Sequence, residues 1–252
     1  MTFFEADKLS INFGGIKAVD GVSFRIAQGE VFTIIGPNGA GKTTIFNLVS
    51  RFYDPTGGRL VFEDNDITQV PAHRIAALGI ARTFQNIELF EHATLLQNLL
   101  LARHAHKKSG FFSELLFLPS VRRFEVEHRE AVEKVIDFLD LQQYRDSLIV
   151  NLPYGVRKVA ELARALCTSP KLLLLDEPSS GLNVEETEDM AFWIQDIKNL
   201  LGVTVLMVEH DMKLVSAVSD RVLALNYGRP LAVGTPQEVQ GHPEVISAYL
   251  GG

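Results

Sequence analysis

A glycine-rich segment between residues 36 and 43 carries the strongest chemical signal in this sequence. It fits the pattern G-x-x-x-x-G-K-[ST], with Lys42 and Thr43 at the last two positions. Glycines let the main chain turn so that several backbone amides point inward and hold phosphate oxygens. The lysine reaches the terminal phosphates, and the threonine hydroxyl binds Mg²⁺. The segment therefore predicts a nucleoside triphosphate site, formed by Gly36, Pro37, Asn38, Gly39, Ala40, Gly41, Lys42, Thr43 and Thr44.

The residues on either side of this loop indicate how a fold would hold it. Residues 31–35 form a short apolar run typical of a buried strand, and apolar residues between 45 and 49 suit a helix that faces a core. A glycine-rich turn that binds nothing is the alternative. The strand, the lysine and the threonine together favour the phosphate loop.

Two acidic residues follow a second apolar run. Four leucines at residues 172–175 predict a buried strand, and Asp176 and Glu177 come directly after it. Ligands of α/β proteins bind at the carboxyl ends of such strands. Asp176 can hold Mg²⁺ through water, and Glu177 can polarise a water for attack on the γ-phosphate. A pair of solvated acids that opens a turn is the alternative.

Two further polar residues also end predicted strands. His210 follows the apolar run 203–208 and Glu209, where it could hydrogen-bond the γ-phosphate and the attacking water. A lone histidine is more often structural. Gln85 ends the predicted strand 80–84, and its amide can ligate Mg²⁺ or orient water. As an isolated glutamine, however, Gln85 carries no weight. We therefore expect Glu177 and His210 to be catalytic, and Thr43 and Asp176 to serve the metal.

Patterns along the rest of the chain divide it into two kinds of structure. Alternation of apolar strands with helices predicts a parallel sheet covered on both faces. Residues 3–11 and 21–26 alternate as antiparallel strands do. Residues 88–152 show helical spacing and no strand candidate. We therefore expect one domain over residues 1–252. Its core would comprise residues 1–87 and 153–252, and residues 88–152 would form a helical subdomain.

Composition narrows the classes of function. The 252 residues carry a net charge of −7 and a pI near 5.5, which argues against a broad nucleic-acid surface. The lone Cys167 excludes an intrachain disulfide framework. No signal peptide is visible, and apolar runs fall far short of the ~18 residues that a membrane span needs. We expect a cytoplasmic protein that acts at a membrane only through another protein.

In their order along the chain, these motifs resemble the ATP-binding cassette (ABC) ATPase family. Residues 36–43 match the Walker A loop, Gln85 the Q-loop, 172–177 the Walker B strand with its glutamate, 180–183 the D-loop, and His210 the switch histidine. The resemblance implies an α/β fold: a P-loop NTPase (RecA-like) core with an antiparallel β subdomain and an inserted α-helical subdomain. It also implies ATP and Mg²⁺ as ligands, and it places Gln85 among both the catalytic and the metal-binding residues. Phe13 takes the place of the aromatic that stacks on adenine, with local packing in its turn as the alternative.

The signature motif of the family departs from its usual form. The usual L-S-G-G-Q is L-P-Y-G-V at residues 152–156, so Pro153 has no hydroxyl to offer and Val156 replaces glutamine. The resemblance implies that Tyr154 and Gly155, together with Asn183 of the D-loop, face the ATP of a second subunit. A cassette that binds ATP without hydrolysing it stays open as an alternative.

Several segments look like the branch of this family that imports branched-chain amino acids, namely residues 82–86, 208–215 and 234–251. The resemblance implies membrane permease subunits and a second ABC ATPase, identical or homologous, as partners. A periplasmic or extracellular solute-binding protein would act indirectly. The chain would be peripheral on the inner face of the cell membrane. Importers of urea or aromatic acids and a non-transport regulatory ABC ATPase are the alternatives.

One segment has an ambiguous character. Residues 104–123 combine basic residues, including His104 and His106, with the apolar residues Phe111, Phe112 and 115–118. The apolar residues could contact membrane or pack inside the helical subdomain, and the basic ones suit a solvated loop better than a metal site.

Overall fold

The computed structural model describes residues 2–85, 87–103 and 119–250, with only the backbone given for 119–124. It forms two compact units. The first comprises residues 1–85 and 171–252, and the second comprises residues 86–170. The second unit includes a helix at residues 154–166, whereas the predicted helical subdomain ends before it, at residue 152. The ambiguous segment 104–123 lies outside the residues whose side chains are described.

The first unit contains two sheets. In chain order the strands are β1 (Thr2–Phe13), β2 (Ile16–Ala27), β3 (Val31–Ile35), β4 (Gly57–Phe62), β5 (Asn65–Asp66), β6 (Ile80–Arg82), β7 (Leu172–Asp176), β8 (Thr204–Val208), β9 (Arg221–Asn226) and β10 (Arg229–Gly234). The larger sheet has the order β10-β9-β3-β8-β7-β6. It is parallel except for β10. The predicted parallel sheet is confirmed, and its order places the ends of β3, β8 and β7 side by side.

Burial explains why the central strands could be recognised. Every residue of β3, β7 and β8 is buried, as expected where helices cover both faces of a parallel sheet. The smaller sheet, β2-β1-β4-β5, is antiparallel. The rings of Phe24 and Phe32 stack with centroids 5.4 Å apart and join the two sheets.

Helices follow the strands and form the second unit. In chain order they are α1 (Lys42–Val49), α2 (Ala72–Ile75), α3 (Leu95–Ala102), α4 (Pro119–Phe138), α5 (Tyr154–Leu166), α6 (Val184–Asn199), α7 (Met212–Val218), α8 (Pro236–Gln240) and α9 (Pro243–Leu250). Capping boxes at Thr94 and Thr235 begin α3 and α8. Within the described parts of the chain, no helix combines the length and apolar character needed to cross a membrane.

One strand is shorter than its apolar pattern predicts. Pairing between β6 and β7 ends at Arg82 opposite Leu174, so Gln85 lies in a bend three residues beyond the strand. Thr83 still donates its backbone N–H to the Leu174 carbonyl at 2.9 Å. The chain then leaves the sheet and carries Gln85 toward the end of β7.

Candidate functional site

The loop between β3 and α1 has the backbone that its glycines predict. Gly36 and Gly41 have φ angles of 155° and 100°, which side chains disfavour. A Cβ at Gly36 would lie 2.4 Å from the Leu225 carbonyl oxygen, and one at Gly41 would lie 2.6 Å from that of Ala18. Any larger residue at either position would therefore force the loop away from the turns that support it.

The loop leads into a helix N-terminus that has no side-chain cap. The N-cap of α1 is Gly41, which has no side chain that could accept a hydrogen bond from the first turn. The first amides of a helix lack partners within the helix, and its dipole favours an anion there. Thr43 is exposed and Thr44 is half-buried at this end. The arrangement suits a phosphate group.

Lys42 is folded back over the loop. Its Nζ donates to the carbonyl oxygens of Gly36 at 2.7 Å and Pro37 at 3.0 Å, and the residue is only 7% exposed. Burial lowers the pKa of this ammonium, and the carboxylates at the ends of β7 and β8 oppose that effect. A bound phosphate would place negative charge beside this partly desolvated cation. The electrostatic attraction would favour a turn of the Lys42 ammonium toward the phosphate.

A cleft of about 440 Å³ adjoins the outer side of the loop. Residues 37–40 line one side, and Asn226, Glu244 and Ser247 lie among the residues of the other. The C-terminal helix α9 also reaches the loop, because the Gly36 backbone hydrogen-bonds the phenol of Tyr249. Burial raises the pKa of that phenol. The loop is therefore supported from the C-terminal end of the chain, a contact that no motif indicates.

Asp176 lies at the end of β7, where it is buried and paired with the guanidinium of Arg82. The residue is 3% exposed, and its Oδ2 accepts a hydrogen bond from Arg82 Nη2 at 2.8 Å. Its backbone N–H donates to Thr83 Oγ1 at 3.3 Å. The carboxylate is thus held at the carboxyl end of β7, next to the loop.

Arg82 connects Asp176 to α1. Its Nη1 donates to Asn47 Oδ1 at 2.6 Å and to Ser50 Oγ at 3.0 Å. The guanidinium also lies over the rings of Phe46 and Phe84, at 5.7 and 5.3 Å from their centroids. Arg82 stands three residues before Gln85, but only the register between β6 and β7 shows which carboxylate it meets.

Replacing Arg82 with Met is expected to lower the free energy of unfolding by about 3–5 kcal/mol, because the buried Asp176 loses its counter-charge. Arg82→Lys keeps the charge but not the two-pronged geometry, so its loss should be smaller. Urea unfolding of the full chain measures both. Arg25→Met is the matched control: Arg25 pairs with Glu5 on the surface with its side chain 69% exposed. It should change stability by less than about 1 kcal/mol. Equal losses for Arg82→Met and Arg25→Met would contradict the prediction.

Three residues predicted to be catalytic meet around one carboxylate oxygen. Gln85 Nε2 donates to Glu177 Oε2 at 2.9 Å, and His210 Nδ1 lies 3.8 Å from the same oxygen. The Glu177 side chain is 18% exposed and that of His210 is 58% exposed. Glu177 also has a left-handed backbone, with φ of 48°, which is uncommon for a residue other than glycine. The structure brings together side chains that are far apart in the sequence.

Phe13 shows the local packing that was the alternative to a role in base binding. Its ring meets Tyr53 edge to face with centroids 5.2 Å apart. The residue is nonetheless 43% exposed. Stacking of this ring on adenine stays a prediction.

The signature residues lie in the second unit. Helix α5 begins at Tyr154, and its N-cap Pro153 makes no side-chain hydrogen bond to it. Tyr154 is 41% exposed and Gly155 is buried.

Asn183 of the D-loop is the N-cap of α6. It shares a capping box with Glu186, in which both hydrogen bonds measure 2.9 Å. A contact between Asn183 and a second subunit stays a prediction.

The donors predicted for a metal ion are all oxygen groups of the first unit. Hydroxyl, carboxylate and amide oxygens are the ligands that Mg²⁺ prefers, and Mg²⁺ commonly uses few protein ligands beside phosphates and water. Among the residues described, no three His, Cys, Asp or Glu side chains are grouped as a metal site. The donor set of Thr43, Asp176 and Gln85 therefore fits Mg²⁺ that arrives with a nucleotide.

Comparison with known families identifies two matching regions. Residues 19–180 match the family described as ABC transporter, and residues 229–252 match the family described as branched-chain amino acid ATP-binding cassette transporter. The second region contains β10, α8 and α9. It thus includes the helix that contacts the phosphate loop through Tyr249.

Curated relatives match along nearly their whole length. The high-affinity branched-chain amino acid transport ATP-binding protein BraF of Pseudomonas aeruginosa is 42% identical over 247 residues, covering 98% of this chain and 97% of the relative. The protein LivG of Escherichia coli, described in the same words, is 42% identical over 243 residues, covering 96% and 95%. A probable LivG of Methanocaldococcus jannaschii is 33% identical over 255 residues, covering 100% and 98%.

Solved structures agree with these matches. A nucleotide-free ATP-binding cassette from an ABC transporter superposes with a TM-score of 0.87 at 30% identity, covering all of both chains. A cassette in its ADP conformation superposes with a TM-score of 0.86 at 30% identity, also covering all of both chains. The predicted fold class is confirmed. With these matches, and with a loop that suits a phosphate group, a buried aspartate at the end of β7 and a Gln85–Glu177–His210 cluster in that fold, this chain belongs to the ATP-hydrolysing cassettes of the ABC transporter family.

Proposed function

We propose that this chain is the ATP-hydrolysing subunit of an importer that takes up branched-chain or related hydrophobic amino acids. The observation that carries hydrolysis is the convergence of Gln85 and His210 on Glu177 Oε2. The solute class is supported by the names of the relatives and by the match of residues 229–252.

The loop, the predicted metal ligands and the Gln85–Glu177–His210 cluster each have a part in the proposed reaction. The amides of the loop and Lys42 hold the phosphates of ATP. Thr43, Asp176 and Gln85 would hold Mg²⁺, which neutralises charge on the β- and γ-phosphates when it is bound. Glu177 accepts a proton from the attacking water, and His210 donates a hydrogen bond to the γ-phosphate.

We propose that a second cassette completes the site. A γ-phosphate carries more charge than one loop neutralises, and the N-terminus of α5 from a second subunit supplies more positive potential. Pro153 removes the hydroxyl usual in the signature motif, so the amides and dipole of α5 act there in its place. The second cassette is a homologous subunit or another copy of this chain.

The remaining partners follow from the same proposal. Permease subunits in the membrane receive the motion that ATP binding and hydrolysis produce, and they hold this chain on the inner face of the cell membrane. A periplasmic or extracellular solute-binding protein delivers the amino acid to the permease and acts on this chain indirectly. No nucleic acid takes part.

Reconstitution in proteoliposomes tests the proposal. The chain is assembled with the permease and second-cassette subunits that co-purify with it, and ATP-driven uptake of labelled leucine, urea and benzoate is compared. We expect leucine uptake that requires ATP. Uptake of urea or benzoate alone would assign the transporter to another solute. Recovery of the chain with ribosomes instead of a permease would overturn the transport function.

One specific observation favours a second candidate, a cassette that binds ATP as a switch. Pro153 and Val156 depart from the signature pattern. Phosphate release by the assembled cassette dimer distinguishes the two, because a switch binds ATP without sustained turnover.

A further inference from the structure

Glu209 is a fully buried carboxylate at the end of β8, with an exposed fraction of 0%. The reaction described above gives it no part. A buried charge requires hydrogen-bond donors, and Glu209 has four. Its Oε1 accepts from the backbone N–H groups of His210 at 2.7 Å and Asp211 at 3.0 Å. Its Oε2 accepts from the backbone N–H of Ser179 at 3.2 Å and from the Ser179 hydroxyl at 2.9 Å.

The bonds to Oε2 act on the turn that carries Glu177. Ser179 is two residues beyond Glu177, and the Ser180 N–H donates to the Glu177 carbonyl at 3.1 Å. A left-handed backbone in a glutamate persists only where its surroundings hold it in place. Glu209 provides such a hold, because two of its bonds fix Ser179, the third residue of the turn that begins at Glu177.

The bonds to Oε1 act on the segment that carries His210. One fixes the His210 backbone, and the His210 ring nitrogen Nδ1 also lies 3.5 Å from Oε1. The same ring nitrogen lies 3.8 Å from Glu177 Oε2. One carboxylate thus holds the backbone next to Glu177, which follows β7, and the backbone of His210, which follows β8.

We propose that Glu209 is a positioning residue that fixes Glu177 and His210 relative to each other for ATP hydrolysis. The proposal rests on the proposed function of those two residues. It requires both oxygens of Glu209 to accept, since each one serves a different segment. A glutamine there offers one accepting oxygen, and its amide N–H₂ would face donors of the other segment.

Glu209→Gln in the full chain, assembled with its second cassette, tests this proposal. We expect kcat for ATP to fall about 10- to 100-fold, because small misplacements of reacting groups are costly. The Kd of the full chain for a fluorescent ATP analogue should change less than 3-fold, since Glu209 donates nothing to the nucleotide. A substitution that acted only by loosening the fold would weaken both quantities together.

Ser179→Ala is the second variant, and it is informative even if Glu209→Gln fails to fold. It keeps the carboxylate and its bonds to the His210 segment, and it removes only the hydroxyl bond to the Glu177 turn. We expect a several-fold lower kcat with an unchanged Kd.

A folded Glu209→Gln with the parental kcat would overturn the proposal, as would a Kd that rises in step with the loss of kcat. If Glu209→Gln does not fold, a parental kcat for Ser179→Ala overturns it. These outcomes are distinct from failure of the proposed function, in which the parent assembly itself releases no phosphate.

Discussion

Glu177→Gln is expected to slow ATP hydrolysis by the assembled cassettes at least about 100-fold while leaving ATP binding intact. Glutamine has the same shape and can still accept a hydrogen bond from Gln85 through its oxygen, but it cannot take a proton from water. General-base catalysis contributes about 10²- to 10⁴-fold, so kcat should fall by that factor. Phosphate release measures the loss, and size-exclusion chromatography with ATP should show a trapped dimer.

Glu185→Gln is the matched control for this experiment. Glu185 is an exposed acid in the first turn of α6, eight residues after Glu177 in the sequence. Its replacement removes one negative charge without touching the cluster, so turnover should stay close to that of the parent. Equal turnover in Glu177→Gln and the parent would refute the assignment of Glu177 as the base.

Lys42→Met should weaken binding of ATP about 10- to 100-fold, since hydrogen bonds to charged groups contribute about 1.5–3 kcal/mol. Methionine fills similar volume but offers neither charge nor donor to the phosphates. It also removes the two hydrogen bonds from Nζ to the Gly36 and Pro37 carbonyls. Titration with a fluorescent ATP analogue, with and without Mg²⁺, measures the loss directly.

The control for Lys42 is Lys134→Met. Lys134 is an exposed lysine of α4 in the second unit, and removing it changes the net charge by the same amount. Its Kd for the analogue should match that of the parent. An unchanged Kd in Lys42→Met would contradict the phosphate-loop assignment. That assignment would also be contradicted if the affinity of the parent for the ATP analogue did not depend on Mg²⁺.

The sequence by itself determined the parts of this protein whose signals are local. The phosphate loop was predictable because glycines, lysine and threonine must stand at fixed spacing around a triphosphate. The strands β3, β7 and β8 were predictable because burial on both faces requires continuous apolar residues. The capping-box patterns T-x-x-Q at residues 94–97 and T-x-x-E at residues 235–238 likewise indicate where α3 and α8 begin.

Only the tertiary structure decided which side chains meet across the sheet. Arg82 pairs with Asp176 because β6 and β7 align Arg82 with Leu174, although the two residues are 94 apart in the chain. Glu209 binds Ser179 across 30 residues for a similar reason, because β7 and β8 end side by side. Such pairings depend on strand order and register, which residue types and spacing along one segment do not encode. The contacts that hold the Gln85–Glu177–His210 cluster therefore became visible only in three dimensions.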